Sequence, residues 1–232
     1  MAKKTIGIVG GMGPLATADL FRKIVLHADV KSDQEHPRVV IDSNTDIPDR
    51  TAALLHGGAD PTPELQKSAR RLESIGADVL TMPCNTAHGF YDAVAAAVHI
   101  PVLHMIRLTR DTLKARGVKT AGLLATDGTV QTGVYARAFE GSGIALLTPD
   151  EAGQAAVMDI IYNGVKAGDA GHDPAAFRAS CEALLDRGAE TLILGCTELP
   201  LALELYGLDL PATDPTLELA LGALRFAGCP VK

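Results

Sequence analysis

Two stretches of this chain are copies of one another. Around Cys84 it reads Gly76-Ala77-Asp78-Val79-Leu80-Thr81-Met82-Pro83-Cys84-Asn85-Thr86, and around Cys196 it reads Gly188-Ala189-Glu190-Thr191-Leu192-Ile193-Leu194-Gly195-Cys196-Thr197-Glu198. Glycine, alanine, an acidic residue, leucine and cysteine recur at a constant offset of 112 residues. Upstream, Lys4-Thr5-Ile6-Gly7-Ile8-Val9 and Gly13 answer to Lys119-Thr120-Ala121-Gly122-Leu123-Leu124 and Gly128 at an offset of 115. Downstream, Ile100-Pro101-Val102-Leu103-His104 answers to Leu210-Pro211-Ala212-Thr213-Asp214 at an offset of 110. Slow drift in the offset is what loop insertions leave behind, and three ordered blocks mark an internal duplication. The chain is thereby constrained to fold as two similar units.

Within each copy, short apolar runs alternate with helical patterns. Strands are expected at Thr5–Val9, Val39–Ile41, Val79–Thr81, Val102–His104, Ala121–Leu124, Ala145–Leu147 and Thr191–Leu194, several apolar throughout, as strands covered on both faces are. Between Pro63 and Gly76 the apolar positions Leu65, Ala69, Leu72 and Ile75 keep helical spacing, and Phe177, Cys181 and Leu184 repeat that stripe 112 residues on. This alternation predicts parallel βα units. The fold expected is α/β, with two similar domains related by a pseudo-twofold axis and an active site in the cleft between them. Residues 1–100 with 208–232 form the first domain and 101–207 the second. The helix at Thr216–Phe226 is expected to pack on the first half, and the helix at Met105–Arg116 to cross between domains.

Composition excludes some classes of function. A net charge of −7 with scattered basic residues and 4% aromatics argues against nucleic acid as a partner. Met1-Ala2-Lys3-Lys4 runs straight into a strand-like segment with no signal-peptide pattern, and the most apolar stretch, Ala93 to Ile106, is too short and too interrupted to cross a bilayer. The chain is expected in the cytoplasm, where its four cysteines are thiols rather than a disulfide framework. No Cys-x-x-Cys or clustered His/Cys spacing points to a metal.

The duplicated cysteines carry the chemistry. Two copies of one unit would aim two thiols from opposite sides at one substrate, the arrangement needed when a proton leaves one face of a carbon and returns to the other. Each cysteine is expected at a strand's carboxyl end with a helix starting just after it, where the helix N-terminus lowers a thiol from its ordinary value of about 8.5. Cys181, on an apolar helical stripe, and Cys229, in a Gly-Cys-Pro tail, read as structural. His88 lies one helical turn beyond Cys84, placed either to tune that thiol or to pack.

With the two cysteine motifs, two others complete a pattern of four in order: Gly10-Gly11-Met12-Gly13-Pro14-Leu15-Ala16-Thr17, Asn44-Thr45-Asp46-Ile47-Pro48-Asp49-Arg50-Thr51, Pro83-Cys84-Asn85-Thr86-Ala87-His88 and Gly195-Cys196-Thr197-Glu198-Leu199-Pro200. Together they resemble the aspartate/glutamate racemase superfamily, on its aspartate racemase branch; the glutamate branch typically has histidine where this chain has Glu198. The resemblance implies a cofactor-independent amino-acid racemase, commonly homodimeric, with Cys84 and Cys196 as the catalytic pair and a small acidic amino acid, aspartate, as substrate. It assigns Arg50 and Lys166, the latter in Ile161-Tyr162-Asn163-Gly164-Val165-Lys166, to the substrate's side-chain carboxylate. Met12, Asn85, Thr86, Thr126 and Thr197 fall on substrate-binding positions, though Asn and Thr at such turns also serve as helix caps.

Other readings stay open at this point. Glutamate or broader racemisation, hydantoin racemase, maleate isomerase and arylmalonate decarboxylase chemistry belong to the same superfamily. Gly11-Met12-Gly13-Pro14-Leu15-Ala16 after a strand, with Asp42 ending the next, also satisfies a dinucleotide-binding fingerprint. That dehydrogenase reading leaves the second copy and both cysteine motifs unexplained. A non-catalytic amino-acid binding protein on the same scaffold has no use for the paired thiols.

Overall fold

A computed structural model describes residues 3–232. The chain packs as two compact units, Met1–Leu108 with Thr216–Lys232, and Thr109–Pro215. The first unit contains β1 (Ile6–Gly10), α1 (Pro14–His27), β2 (Val39–Ser43), α2 (Arg50–Leu55), α3 (Thr62–Ser74), β3 (Val79–Thr81) and α4 (Tyr91–Ala95), and α5 (Met105–Ala115) leads out of it. The second contains β4 (Thr120–Leu124), α6 (Asp127–Gln131), α7 (Val134–Phe139), β5 (Ala145–Leu147), α8 (Glu151–Asp159), α9 (Ala175–Asp186), β6 (Thr191–Leu194), α10 (Leu199–Leu205) and β7 (Ala212–Thr213), after which α11 (Pro215–Phe226) belongs to the first unit.

Both sheets are parallel, and they repeat one topology. In the first, β1 lies between β2 and β3, with Ile6 opposite both Val39 and Val79. In the second the order is β5-β4-β6-β7, with Ala121 opposite Thr191 and Leu124 opposite Leu194. The fourth strand of the second sheet has only a remnant in the first, a single parallel bridge from Leu80 to Val102. Val102–His104 is thus not a strand. Only Val102 pairs there before the chain enters α5 at Met105. Its counterpart β7 pairs Ala212 and Thr213 with β6 and was not among the expected strands.

The central strands are buried because helices cover both faces: Ile6, Ile8 and Val9 are fully enclosed, as are Leu192 and Ile193. At equivalent points of β1 and β4, Gly7 and Gly122 admit a leucine from the neighbouring strand. A Cβ on Gly7 would lie 2.6 Å from Leu80, and one on Gly122 would lie 2.9 Å from Leu192. The same glycine–leucine fit in both copies is the duplication expressed as packing.

The first unit has two apolar clusters. One joins Ile6, Ile8, Leu20 and Ile24 to Leu219, Ala220, Ala223 and Leu224 of α11, and the other joins Val9 and Leu80 to Leu65, Ala69 and Leu72 of α3. Ile75, included in the expected helical stripe, lies past the last turn of α3 and is 53% exposed. In the second unit Phe177, Cys181 and Leu184 of α9 pack with Leu192, Leu194 and Leu199. Burial lifts the Cys181 thiol to about 12, as suits a packing residue. No helix of the described residues is long and apolar enough to cross a membrane.

Candidate active site

In the first unit the functional candidates gather at the carboxyl ends of the strands. The turn after β1 is held by Thr17, whose hydroxyl accepts from Gly11 N–H and donates to Gly13 carbonyl, both at 2.9 Å. Gly11 has φ +93°, and a Cβ there would fall 2.2 Å from the Asn44 carbonyl oxygen, so only glycine permits this approach of the β1 and β2 ends. Arg50 begins α2 behind Asp49, whose carboxylate caps the helix at Ala52 N–H (2.6 Å). The Arg50 guanidinium donates to the carbonyls of Pro48 (2.9 Å), Ile47 (3.3 Å) and Met12 (3.3 Å), tying the loop before α2 to the β1 turn.

Cys84 follows β3 and packs in one apolar cluster with Met12, Ile47 and Met82. Asn85 and Thr86, both buried, lead into a 3-10 turn over Thr86–Phe90, not an α-helix. His88 contacts the Cys84 carbonyl rather than its sulfur. Its Nε2 accepts from Met105 N–H at 3.1 Å, which leaves Nδ1 to carry the proton donated to Cys84 oxygen at 2.8 Å. Burial drives its pKa down to about 4, so the ring is neutral near pH 7. His88 therefore fixes the backbone that carries Cys84.

In the second unit Thr126 lies two residues past β4 and caps α6, its hydroxyl accepting from Thr129 N–H at 3.4 Å. Cys196 follows β6, where Gly195 N–H donates to Leu124 carbonyl (2.7 Å) and holds the two strand ends together. The Cys196 thiol donates to Glu198 Oε2 at 2.8 Å, and Thr197 Oγ1 donates to the same oxygen at 3.3 Å. The other carboxylate oxygen receives Lys166 Nζ at 2.6 Å. Lys166 closes a π-helical stretch, Ile160–Lys166, that continues α8; such widened turns recur at functional sites.

Burial pushes the Cys196 pKa well above its ordinary value, helped by the Glu198 charge and hydrogen bond and opposed by Lys166. This corrects the expectation of a thiol lowered by a helix N-terminus: α10 starts three residues beyond Cys196, and the adjacent carboxylate acts in the opposite sense. The buried Tyr135 of α7 is also raised, first by burial and then by Cys196 and Asp214.

Met12, Arg50, Cys84, Asn85 and Thr86 are thus assembled in one unit, and Thr126, Lys166, Cys196 and Thr197 in the other. Capping accounts for Thr126, whereas Asn85 makes no side-chain cap. Glu198 and Tyr135 were not among the expected site residues. Glu198 had a signal, an acid two residues past a strand-end cysteine; Tyr135 had none. Asp42, the acid of the dinucleotide fingerprint, is held by Arg71 through both oxygens at 3.1 and 3.0 Å. Among the described residues no three His, Cys, Asp or Glu side chains gather as ligands for a metal ion.

Each of the two parallel α/β units carries a buried free cysteine just beyond the strand that pairs with its first strand, Cys84 beside Asn85 and Thr86 and Cys196 beside Thr197 and Glu198. Residues 9–220 match the Asp/Glu/Hydantoin racemase family, and the chain belongs to it. The fold superposes on the aspartate racemase of Picrophilus torridus with a TM-score of 0.85 at 33% identity, covering 99% of this chain and 96% of that one. An aspartate racemase homologue from Pyrococcus horikoshii gives 0.78 at 25% identity, over 97% and 99% of the two chains. In sequence, the chain is 26% identical over 228 residues to the broad specificity amino-acid racemase RacX of Bacillus subtilis (strain 168), covering 93% of this chain and 94% of the relative. The protein is an isomerase of the amino-acid racemase type.

Proposed function

We propose that the protein racemises an acidic amino acid, aspartate before others, by proton transfer at Cα between Cys84 and Cys196 without a cofactor. The observation that carries this reading is the equivalence of the two thiols: each is buried and free, and each follows the strand that pairs with the first strand of its unit, β3 on β1 and β6 on β4. A thiol suits both halves of the reaction, as thiolate base toward one enantiomer and as neutral acid toward the other. The Cα proton of an amino acid is weakly acidic, so the base must be pre-positioned and the developing carbanion met by fixed dipoles. Asn85, Thr86, Thr126 and Thr197 are the groups proposed to receive the α-carboxylate and amine.

Arg50 and Lys166 support an acidic side chain, because a guanidinium matches a carboxylate plane and both cations lie among strand-end residues of their units. One observation favours a second reading, racemisation of several amino acids. Both cations are already engaged, Arg50 by three carbonyls and Lys166 by Glu198, and a substrate carboxylate must compete for them. The test is incubation of purified protein with L-aspartate, L-glutamate, L-alanine and a 5-substituted hydantoin, with chelator and no added pyridoxal phosphate, followed by chiral chromatography. D-aspartate as the main product supports the proposal. Preference for alanine, or for the hydantoin, overturns it, and comparable rates for all the amino acids establish the broader reading.

A further inference from the structure

The segment between β2 and α2, which delivers Arg50, has no helix or strand of its own from Asn44 to Asp49. Thr45, Asp46 and Asp49 are exposed, and Ile47 alone of these residues is buried, in the cluster of Met12 and Cys84. With so little apolar packing, the course of the segment depends on its polar anchors. One anchor is Arg50 itself, through the Met12 carbonyl. The other is Asn44. Its Nδ2 donates to Glu64 Oε2 and to Ser68 Oγ, both at 3.1 Å, while its Oδ1 accepts from Asp46 N–H at 3.0 Å. Both amide protons and the amide oxygen are thus in use. Glu64 and Ser68 stand four residues apart on α3 and share one face of that helix. Glu64 lies in the first turn of α3, where the helix favours an acid, and Lys67 holds it at 3.2 Å. The hydrogen bond from Asn44, followed by that from Lys67, keeps its carboxyl below the ordinary range. On the opposite flank the Asn44 backbone abuts Gly11.

We propose that Asn44 is the positioning residue of Arg50: gripped by Glu64 and Ser68, it fixes the path by which the chain leaves β2 and so sets the affinity for an acidic substrate. This rests on reading Arg50 as a cation that receives the substrate's side-chain carboxylate. Asn44 acts on binding through the backbone of residues 45–49, so its loss raises KM, while proton transfer at Cα, the work of the thiols, keeps its kcat. Asparagine is needed because an aspartate has no proton to give to Glu64.

The test reverses the polarity of this contact in the full-length protein. Asn44→Asp sets two carboxylates against each other, and at pH 8 they repel. Adding Glu64→Gln returns a donor to the pair from the other side, with the Ser68 hydroxyl free to turn and donate as well. Steady-state kinetics with L-aspartate at pH 8 are read beside limited tryptic cleavage after Arg50 without substrate, since trypsin must first free the Arg50 side chain from its carbonyls. Asn44→Asp should raise KM at least tenfold with kcat within threefold of wild type, and should speed cleavage after Arg50 at least tenfold. The double variant should bring both back to within threefold of wild type. A merely structural role lowers kcat with the folded fraction and gains nothing from the reversal. An unchanged KM in folded Asn44→Asp, or a double variant no better than the single one, overturns the proposal. Should Asn44→Asp fail to fold, Glu64→Leu decides: it deletes the acceptor and should raise KM at least threefold, and an unchanged KM there is equally fatal. If wild type does not turn over aspartate, the aspartate reading falls by itself. The grip of Asn44 on the Arg50 segment is then decided by cleavage, where equal rates in wild type and both variants count against it and the tenfold rise with its reversal establishes it.

Discussion

The sulfur of Cys196 donates to Glu198 at 2.8 Å, and the same carboxylate is clasped from its other side by Lys166 at 2.6 Å. This chain of three makes the two halves of a duplicated protein chemically unequal, because Cys84 is followed at the corresponding place by Thr86. Lys166, proposed above to receive the carboxylate of an acidic substrate, is thus already held by a resident one.

Removal of Lys166 should therefore be felt in both stability and kinetics. With its side chain 30% exposed against 6% for Glu198, the pair is half in water, and leaving Glu198 unpaired should cost about 1–3 kcal/mol. Urea denaturation of Lys166→Met against wild type measures this, and the KM for aspartate should rise in the same variant. An unchanged KM would remove Lys166 from substrate recognition.

His88 makes stability depend on pH. Its folded pKa of about 4 lies below the ordinary 6.5, so the folded state prefers the neutral ring. The stability contributed by that preference is complete above pH 6.5 and is lost as the pH falls from 6.5 toward 4, by about 2 kcal/mol at pH 5. Urea midpoints at pH 7.5 and pH 5 should differ by that much more for wild type than for His88→Gln. Equal losses in the two proteins would contradict a buried neutral His88.

The β1 turn depends on glycine. Gly11→Ala places a methyl 2.2 Å from the Asn44 carbonyl oxygen in a backbone conformation that alanine avoids, and should destabilise the first unit by at least about 2 kcal/mol. Thermal unfolding checks this. A variant as stable as wild type would show that the turn relaxes freely.

Much of the architecture was legible because the duplication leaves a double record. The glycine in each central strand and the leucine beside it, Gly7 with Leu80 and Gly122 with Leu192, can be read as one contact seen twice. The two copies part at their last block: Val102–His104, expected as a strand from its apolar run, makes a single bridge, while Ala212 and Thr213 at the same place in the other copy pair as β7. The candidate site was legible as positions rather than as partners. Cys84, Cys196, Arg50 and Lys166 stand at strand and helix ends, as their motifs implied. Glu198, however, appeared only as a letter after Cys-Thr, since nothing in one-dimensional spacing says that its carboxylate turns back onto the sulfur. For the same reason the helix expected to lower the Cys196 thiol misled: only the fold reveals the carboxylate beside its sulfur.

The central claim is that two thiols divide the work at one carbon, and deuterium incorporation measures it most directly. Wild type, Cys84→Ser and Cys196→Ser are each incubated in deuterium oxide with L-aspartate or D-aspartate, and loss of the Cα proton signal is followed by NMR alongside optical rotation. The account predicts that wild type exchanges and interconverts both enantiomers. Each serine variant should lose racemisation, because a hydroxyl is too weak an acid near neutral pH, yet keep exchange with one enantiomer, opposite for the two variants. Full racemisation by either single variant, or exchange of the same enantiomer by both, would contradict it.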